Sequence, residues 1–313
     1  MDVTQQIALL QENIERALVG KGEVVKFAIV ALLARGHLLI EDVPGVGKTT
    51  LAAATARSLG GTFQRIQFTS DLLPSDIIGV SVYDQRTGEF TFRPGPIFAN
   101  VILADEINRT TPKTQSSLLE AMSDFQVSVD HHTYQLAQPF IVLATQNPLE
   151  YYGTHPLPES QMDRFLLRIR IGYPEEADEK RILRGERVST IIDGLQPVLT
   201  AAEVLALQRQ ADLVRVDEAL LHYLLTIVRA TRDSTALALG VSPRGSLALY
   251  RAAQALAFIE GRTYCVPDDI KTLAVPALAH RVILPGQWEH GKSGGEEAES
   301  IIHEIIAGIP VPD

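Results

Sequence analysis

The 313-residue chain contains one cysteine, Cys265, so no intrachain disulfide and no cysteine-based metal cluster can form. Cysteine poverty also fits a reducing compartment. Aromatic residues make up only 6% of the chain, leaving few stacking surfaces for single-stranded nucleic acid. Positive charge is in deficit: 28 Lys+Arg stand against 38 Asp+Glu, for a net charge of -10. That balance argues against a protein that coats nucleic acid, although it permits a local basic patch. Long hydrophobic runs are missing as well. The most apolar early stretch runs from Phe27 to Ala34 and stops at Arg35, far short of the ~20 residues that span a bilayer. Met1 to Gln5 lacks the basic and apolar regions of a signal peptide, so a cytoplasmic location is expected.

What is present suits a well-packed protein. Hydrophobic residues account for 46% and charged residues for 21%, enough apolar material for a full core. At roughly 150 residues per domain, the length suggests about two domains.

Short apolar runs alternate with helical patterns through the first half. Thr4 is placed to cap a helix reaching about Val19, with Ile7, Leu10, Ile14 and Leu18 on one face. A second helix is expected from Val24 to Ala34, then a strand from His37 to Ile40, a glycine-rich turn and a helix from Thr49 to Leu59. Phe63 to Phe68 reads as a further strand. Val101 to Ala104 and Phe140 to Ala144 are continuous apolar runs, the pattern of central parallel strands buried on both faces. Leu166 to Ile171 alternates apolar and basic residues, as an outer strand would.

Two hairpins interrupt this order. Val80–Tyr83 and Phe90–Phe92 flank a turn at Thr87-Gly88, and Val127–Val129 and Tyr134–Leu136 flank Asp130 to Thr133. After Tyr173-Pro174 the pattern turns helical, with segments expected at 175–188, 201–211, 217–235, 243–260 and 267–280. The boundary is therefore expected at residue 173, giving a nucleotide-binding part at 1–173 and a helical part at 174–313. Gly294 to Glu297 reads as a mobile turn.

Two segments resemble a phosphate-binding loop. The literal pattern G-x-x-x-x-G-K-[ST] occurs at Gly286 to Ser293. Gly294 and Gly295 follow at once and oppose the helix that such a loop needs, and no apolar strand ending in Asp lies downstream, so a surface turn is the better reading. The second candidate, Pro44-Gly45-Val46-Gly47-Lys48-Thr49-Thr50, fails the strict pattern because Asp42 occupies the first glycine position. Its context is right, with a strand before it and a helix after it. Gly45 and Gly47 allow close backbone approach to phosphate, Lys48 can reach the β and γ phosphates, and the Thr49 hydroxyl can serve Mg²⁺. Asp tolerates left-handed backbone better than most residues, which makes Asp42 acceptable.

Downstream, Asp105 and Glu106 end the run Val101 to Ala104. Strand alternation would point them in opposite directions. Asp105 is expected on the Mg²⁺ side, directly or through water, and Glu106 where a water is polarised for attack on the γ-phosphate. Asn147 closes the next apolar run. It either orients the attacking water or merely starts the turn before Pro148, and the residues alone leave both open.

In combination these motifs resemble the MoxR family of AAA+ ATPases. The resemblance covers about residues 5 to 285. It rests on Pro44 to Thr49, Ala104 to Arg109, Ala144 to Pro148, Phe92 to Pro96, Leu157 to Phe165 and Gly240 to Arg244. It implies an α/β P-loop NTPase: an αβα core with a parallel sheet and β-hairpin inserts, followed by a small all-α lid. It implies ATP and Mg²⁺ as ligands, with Lys48 and Thr49 as Walker A, Asp105 and Glu106 as Walker B and Asn147 as sensor 1. Arg164 matches the position of an arginine finger acting on a neighbouring subunit's nucleotide, although Arg168 and Arg170 lie close by. A salt bridge from Arg164 to Asp163 or Glu159 is the plainer alternative. Arg244 matches the sensor 2 arginine, against a solvated residue at a helix start, where the dipole disfavours a cation. The hairpins would face a central pore or a partner.

The resemblance further implies a homo-oligomeric ring, typically a hexamer. It also implies chaperone-like remodelling or maturation of a client protein complex, with a von Willebrand factor A domain protein as partner. A non-motor nucleotide switch and a DNA-directed motor are the alternatives. The hairpin tips, Gln85, Arg86, His131 and His132, carry little fixed positive charge for DNA.

Overall fold

The computed structural model describes residues 2–86, 88–130, 132–148, 154–184, 188–286 and 295–312. Thr87 and His131 at the hairpin tips, and Gln287 to Ser293 of the literal phosphate-loop match with Trp288 and Gly294, lie outside the described residues.

Five parallel strands form the central sheet: β1 Leu38–Glu41, β2 Phe63–Gln67, β5 Val101–Asp105, β8 Ile141–Gln146 and β9 Leu167–Ile169. Their order is β2-β5-β8-β1-β9. Period-2 alternation sorts the central strands onto two faces. Leu38, Ile40, Val101, Leu103, Ile141 and Leu143 join one buried cluster. Leu39, Ile102, Ala104, Val142 and Ala144 join the other. Helices cover both faces because both faces are apolar. α1 Val3–Glu15, α2 Gly22–Leu33 and α3 Lys48–Ser58 supply one side. The short α4 Pro74–Ile78 and α5 Pro112–Asp124 supply the other, through Ile77, Leu118, Leu119 and Met122.

Two hairpins stand off this core, β3 Gly79–Asp84 with β4 Glu89–Pro94, and β6 Gln126–Val129 with β7 His132–Gln135. Phe92 and Tyr134 stack across them with ring centroids 4.2 Å apart. The first hairpin leaves Val80, Val82, Tyr83 and Phe90 exposed, Phe90 at 73%.

From residue 176 onward the described elements are helical: α7 Glu176–Arg184, α8 Val188–Gly194, α9 Ala201–Ala211, α10 Glu218–Asp233, α11 Pro243–Ile259, α12 Pro267–Leu278 and α13 Gly295–Gly308, after the one-turn α6 Glu159–Met162. The apolar cluster on the α1–α3 face continues into them through Leu207, Leu224, Leu249 and Leu273. The expected α/β core with a parallel sheet, hairpin inserts and an all-α lid is therefore present. No described helix is long and apolar enough to cross a membrane.

Three local expectations need correction. Helix α1 starts at Val3 with Asp2 at its N-cap, rather than being capped by Thr4. β9 is a short edge strand, but all three of its residues are buried. Arg168 escapes the outward pattern by pairing with Glu41 at 3.2 Å and Glu299 at 2.8 Å. Gly295 to Glu297 is not a turn but the first turn of α13. Ala298 and Ile302 bury against the lid core, and that packing outweighs the glycine's intrinsic cost.

Candidate active site

The carboxyl ends of a parallel sheet are where open α/β folds bind ligands. Here β1 runs into the loop 42–47 and then α3. Gly47, at the N-cap of α3, has φ 107. A side chain there would be strained in backbone and would also meet Leu18 Cδ1 at 2.7 Å. Gly45 has φ 89, and a Cβ there would meet nothing within 4 Å, so the loop's outer side is open. No described side chain caps α3. Its first N–H groups and the positive end of its dipole face the space in front of the loop, an anion site by construction.

That space is a cavity of about 350 Å³ lined by Pro44, Gly45, Gly47, Lys48, Thr49, Thr50, Arg65, Gln67, Asp105, Glu106 and Asn147. It collects nearly all of the expected loop residues with both acids and Asn147. Val46 is 9% exposed and packs into the core instead of lining the cleft. Lys48 Nζ donates to Asp42 O at 2.7 Å, folded back on its own loop. Asp42 has a task of its own. Its Oδ2 accepts from the backbone N–H of Ile171 at 2.7 Å and of Gly172 at 2.6 Å, tying the loop's start to the chain leaving β9.

The two acids do not diverge as strand alternation predicts. The strand ends at Asp105, and Glu106 takes a left-handed conformation with φ 57. This turn brings both carboxylates into one cleft. Buried Thr145 fixes them: its Oγ1 donates to Asp105 Oδ1 at 2.7 Å and accepts from Glu106 N at 2.9 Å. Each acid then has a polar neighbour from β2. Arg65 Nη2 lies 2.5 Å from Asp105 Oδ2, and Gln67 Nε2 donates to Glu106 Oε2 at 2.8 Å. Arg109 Nε also approaches Glu106 Oε2 at 3.3 Å. Sequence reasoning missed Arg65 and Gln67. Their spacing, two apart on a strand, puts them on one face, but only the parallel pairing that sets Gln67 beside Asp105 gives them a partner.

Arg164 and Arg244 do not line the cleft. Arg164 makes neither expected salt bridge; its Nη1 donates to Leu119 O and to Ser123 Oγ on α5. Asp163 is instead engaged by Arg281 at 2.8 Å. Arg168, with a side chain only 8% exposed, is held within its own subunit. Arg170 pairs with Glu296 at 3.6 Å and Glu299 at 3.4 Å. Arg244 is exposed in the first turn of α11.

Among the described residues no cluster of three His, Cys, Asp or Glu could hold a metal by itself. A hydroxyl and one carboxylate suit Mg²⁺, which keeps water and borrows phosphate oxygens rather than taking an all-protein cage. Thr49 and Asp105, across the cleft that Lys48 also lines, fit that donor set.

A phosphate-accepting loop, paired acids and a polar strand end, all at the carboxyl edge of a five-stranded parallel sheet with a helical lid, define an AAA-type ATPase. The family model described as "ATPase family associated with various cellular activities (AAA)" matches residues 37–167, and the AAA lid domain matches residues 229–305. The chain is 52% identical over 301 residues to the uncharacterized protein YeaC of Bacillus subtilis, covering 96% of this chain and 93% of that one. It is 43% identical to the chaperone MoxR1 of Mycobacterium tuberculosis, over 87% of this chain and 74% of that one. The crystal structure of a candidate ATPase from Cytophaga hutchinsonii superimposes with a TM-score of 0.87 at 36% identity, covering 99% of this chain and 96% of that one. The chain belongs to the MoxR family of AAA+ ATPases, and as such it binds nucleotide and hydrolyses ATP.

Proposed function

We propose that the chain works as a homo-oligomeric, hexameric ring in the cytoplasm. In this reading ATP hydrolysis drives chaperone-like remodelling or maturation of a protein complex, with a von Willebrand factor A domain protein as partner. The observation that carries the catalytic part is the left-handed turn at Glu106, which brings Asp105, Glu106 and the phosphate loop into one cleft.

In this reading the N–H groups of residues 45–49 and the Lys48 ammonium hold the phosphates. Lys48 first exchanges the Asp42 carbonyl for phosphate oxygens. Thr49 and Asp105 would hold Mg²⁺, which would supply neutralising charge to the phosphates. Glu106 accepts a proton from the attacking water as it adds to the γ-phosphorus and ADP leaves. Before that, Gln67 and Arg109 occupy the Glu106 carboxylate. Asn147 orients the water beside it. Arg164 supplies positive charge to the neighbour's γ-phosphate, and Arg244 supplies it from the lid to the nucleotide of its own subunit. MoxR1 being called a chaperone supports the remodelling role. The exposed apolar side chains of the β3–β4 hairpin suit a protein client better than a nucleic-acid track. The test is affinity capture with Glu106→Gln in the presence of ATP. Enrichment of a von Willebrand factor A domain protein over an ADP control is expected. DNA-stimulated turnover of the wild type, with no protein enriched by the variant, would contradict the reading.

A further inference from the structure

Arg164 and Arg244 lie apart from the cleft, and one carboxylate sits between them. Asp163 Oδ2 accepts from Ser242 Oγ at 2.9 Å, and Oδ1 accepts from Arg281 Nε at 2.8 Å. The Ser242 hydroxyl spends its single proton on Asp163, so toward Gly245 N, 3.2 Å away, it acts as acceptor. It thereby caps α11, the helix whose first turn carries Arg244. The Arg281 side chain is 2% exposed. It also donates to the carbonyls of Asp163, Phe165, Leu166 and Ala277, gripping the backbone on both sides of Arg164. The start of α11 closes on the same side chain: a Cβ at Gly245 would stand 2.8 Å from Arg281 Cδ. Three stretches distant in sequence, around 163, 242 and 281, thus share one polar knot centred on the buried Arg281.

We propose that Asp163 is a positioning residue that joins Arg164 to the start of α11, so that displacement of α11 at Arg244 carries Arg164 with it. The physical reason is the cost of separation. If α11 moved alone, Asp163 would lose the Ser242 hydroxyl donor, and a charge-assisted bond would open at a partly buried site. Moving the segment and the helix together keeps the bonds of Asp163 and releases only Arg164 from Leu119 and Ser123 on α5. The proposal rests on the reading of Arg244 as sensing its own subunit's nucleotide and Arg164 as serving the neighbour's. Asp163 then ties the nucleotide state of one subunit to hydrolysis in the next.

The test is Ser242→Gly in the assembled protein. Glycine is an adequate N-cap, so the helix start survives while the link to Asp163 is cut. Both arginines stay in place. The expected result is a kcat lower by about tenfold, with the KM for ATP unchanged and cooperativity in ATP lost. In an Arg164→Ala background the same substitution should have no further effect. Asp163→Asn, which keeps the side chain's shape, should show the same non-additivity, and thermal melting checks that each variant is folded. A folded Ser242→Gly protein with wild-type kcat would overturn the proposal. So would an equal loss in both backgrounds. Arg164→Ala turning over at the wild-type rate would overturn the finger reading and the proposal together.

Discussion

The nucleotide cleft and the Asp163–Arg281 knot are both polar places set in an apolar frame, yet they are assembled in opposite ways. The cleft is made mostly of consecutive residues at strand ends, and its two carboxylates are partly exposed. The knot is made of single side chains from three distant stretches, and its central guanidinium is desolvated. Burial pushes the Arg281 group down to about 10, against the opposing pull of Asp163, so it remains protonated at neutral pH. A site built from a continuous loop tolerates an unusual residue such as Asp42. A site built from isolated partners should fail when one is removed.

Four outcomes sharpen that contrast. The largest is on the arginine side: Arg164→Ala should lower kcat by about 10³-fold in the assembled protein, the low end for a supplied arginine. It should leave nucleotide binding intact, as steady-state kinetics beside a binding titration would show.

Next is the knot itself. Asp163→Ala leaves a buried guanidinium without its counter-ion, and chemical denaturation should register a loss of about 3–5 kcal/mol. A loss under about 1 kcal/mol, the range of exposed pairs, would place the knot in solvent.

The third concerns a second buried polar point, at the other end of the sheet. His37 Nδ1 accepts from Val142 N at 3.1 Å, so Nε2 carries the proton toward Met122 O at 2.9 Å. Burial lowers its pKa to about 4, with the Met122 bond opposing. A depressed pKa means that the unfolded chain binds the proton first. Stability from this group is therefore whole above about pH 6.5 and lost as pH falls toward 4, by about 3 kcal/mol at most. His280, also held neutral by burial and by Arg281, adds to the same trend. Denaturation at pH 7 and pH 4.5 should show a smaller drop for His37→Gln than for the wild type.

The smallest effect is on the hairpin. Phe90→Ser should change stability by less than about 0.5 kcal/mol and leave ATP turnover unchanged, because the ring is exposed. A large loss by melting would mean that the ring is covered.

The contrast also explains what could be read in advance. The apolar runs of β1, β5 and β8, the glycine loop and the two hairpins carry local signals, and all appear within a few residues of their expected places. Asp105, Glu106, Lys48 and Asn147 were legible because each closes a strand or opens a helix. The direction of Glu106 was not, since a single left-handed residue breaks the alternation that predicted divergence. Arg65 and Gln67 were hidden by an ordinary polar strand, and only its pairing with β5 gives them a partner. Arg168 looked solvent-facing because its counter-charges, Glu41 and Glu299, lie far away in sequence. Asp163 drew attention as a neighbour of Arg164, whereas its partners sit 79 and 118 residues further on. Burial, above all, pushes the Cys265 thiol up to about 12, so it stays protonated near neutral pH.

The central claim is that Glu106 is the general base of the cleft, and Glu106→Gln tests it most directly. Turnover and ATP binding should be measured on the same preparation. The account predicts ATP binding within a few-fold of wild type and a kcat reduced by about 10²–10⁴-fold. A Glu106→Gln protein that binds ATP and turns it over at the wild-type rate would contradict it.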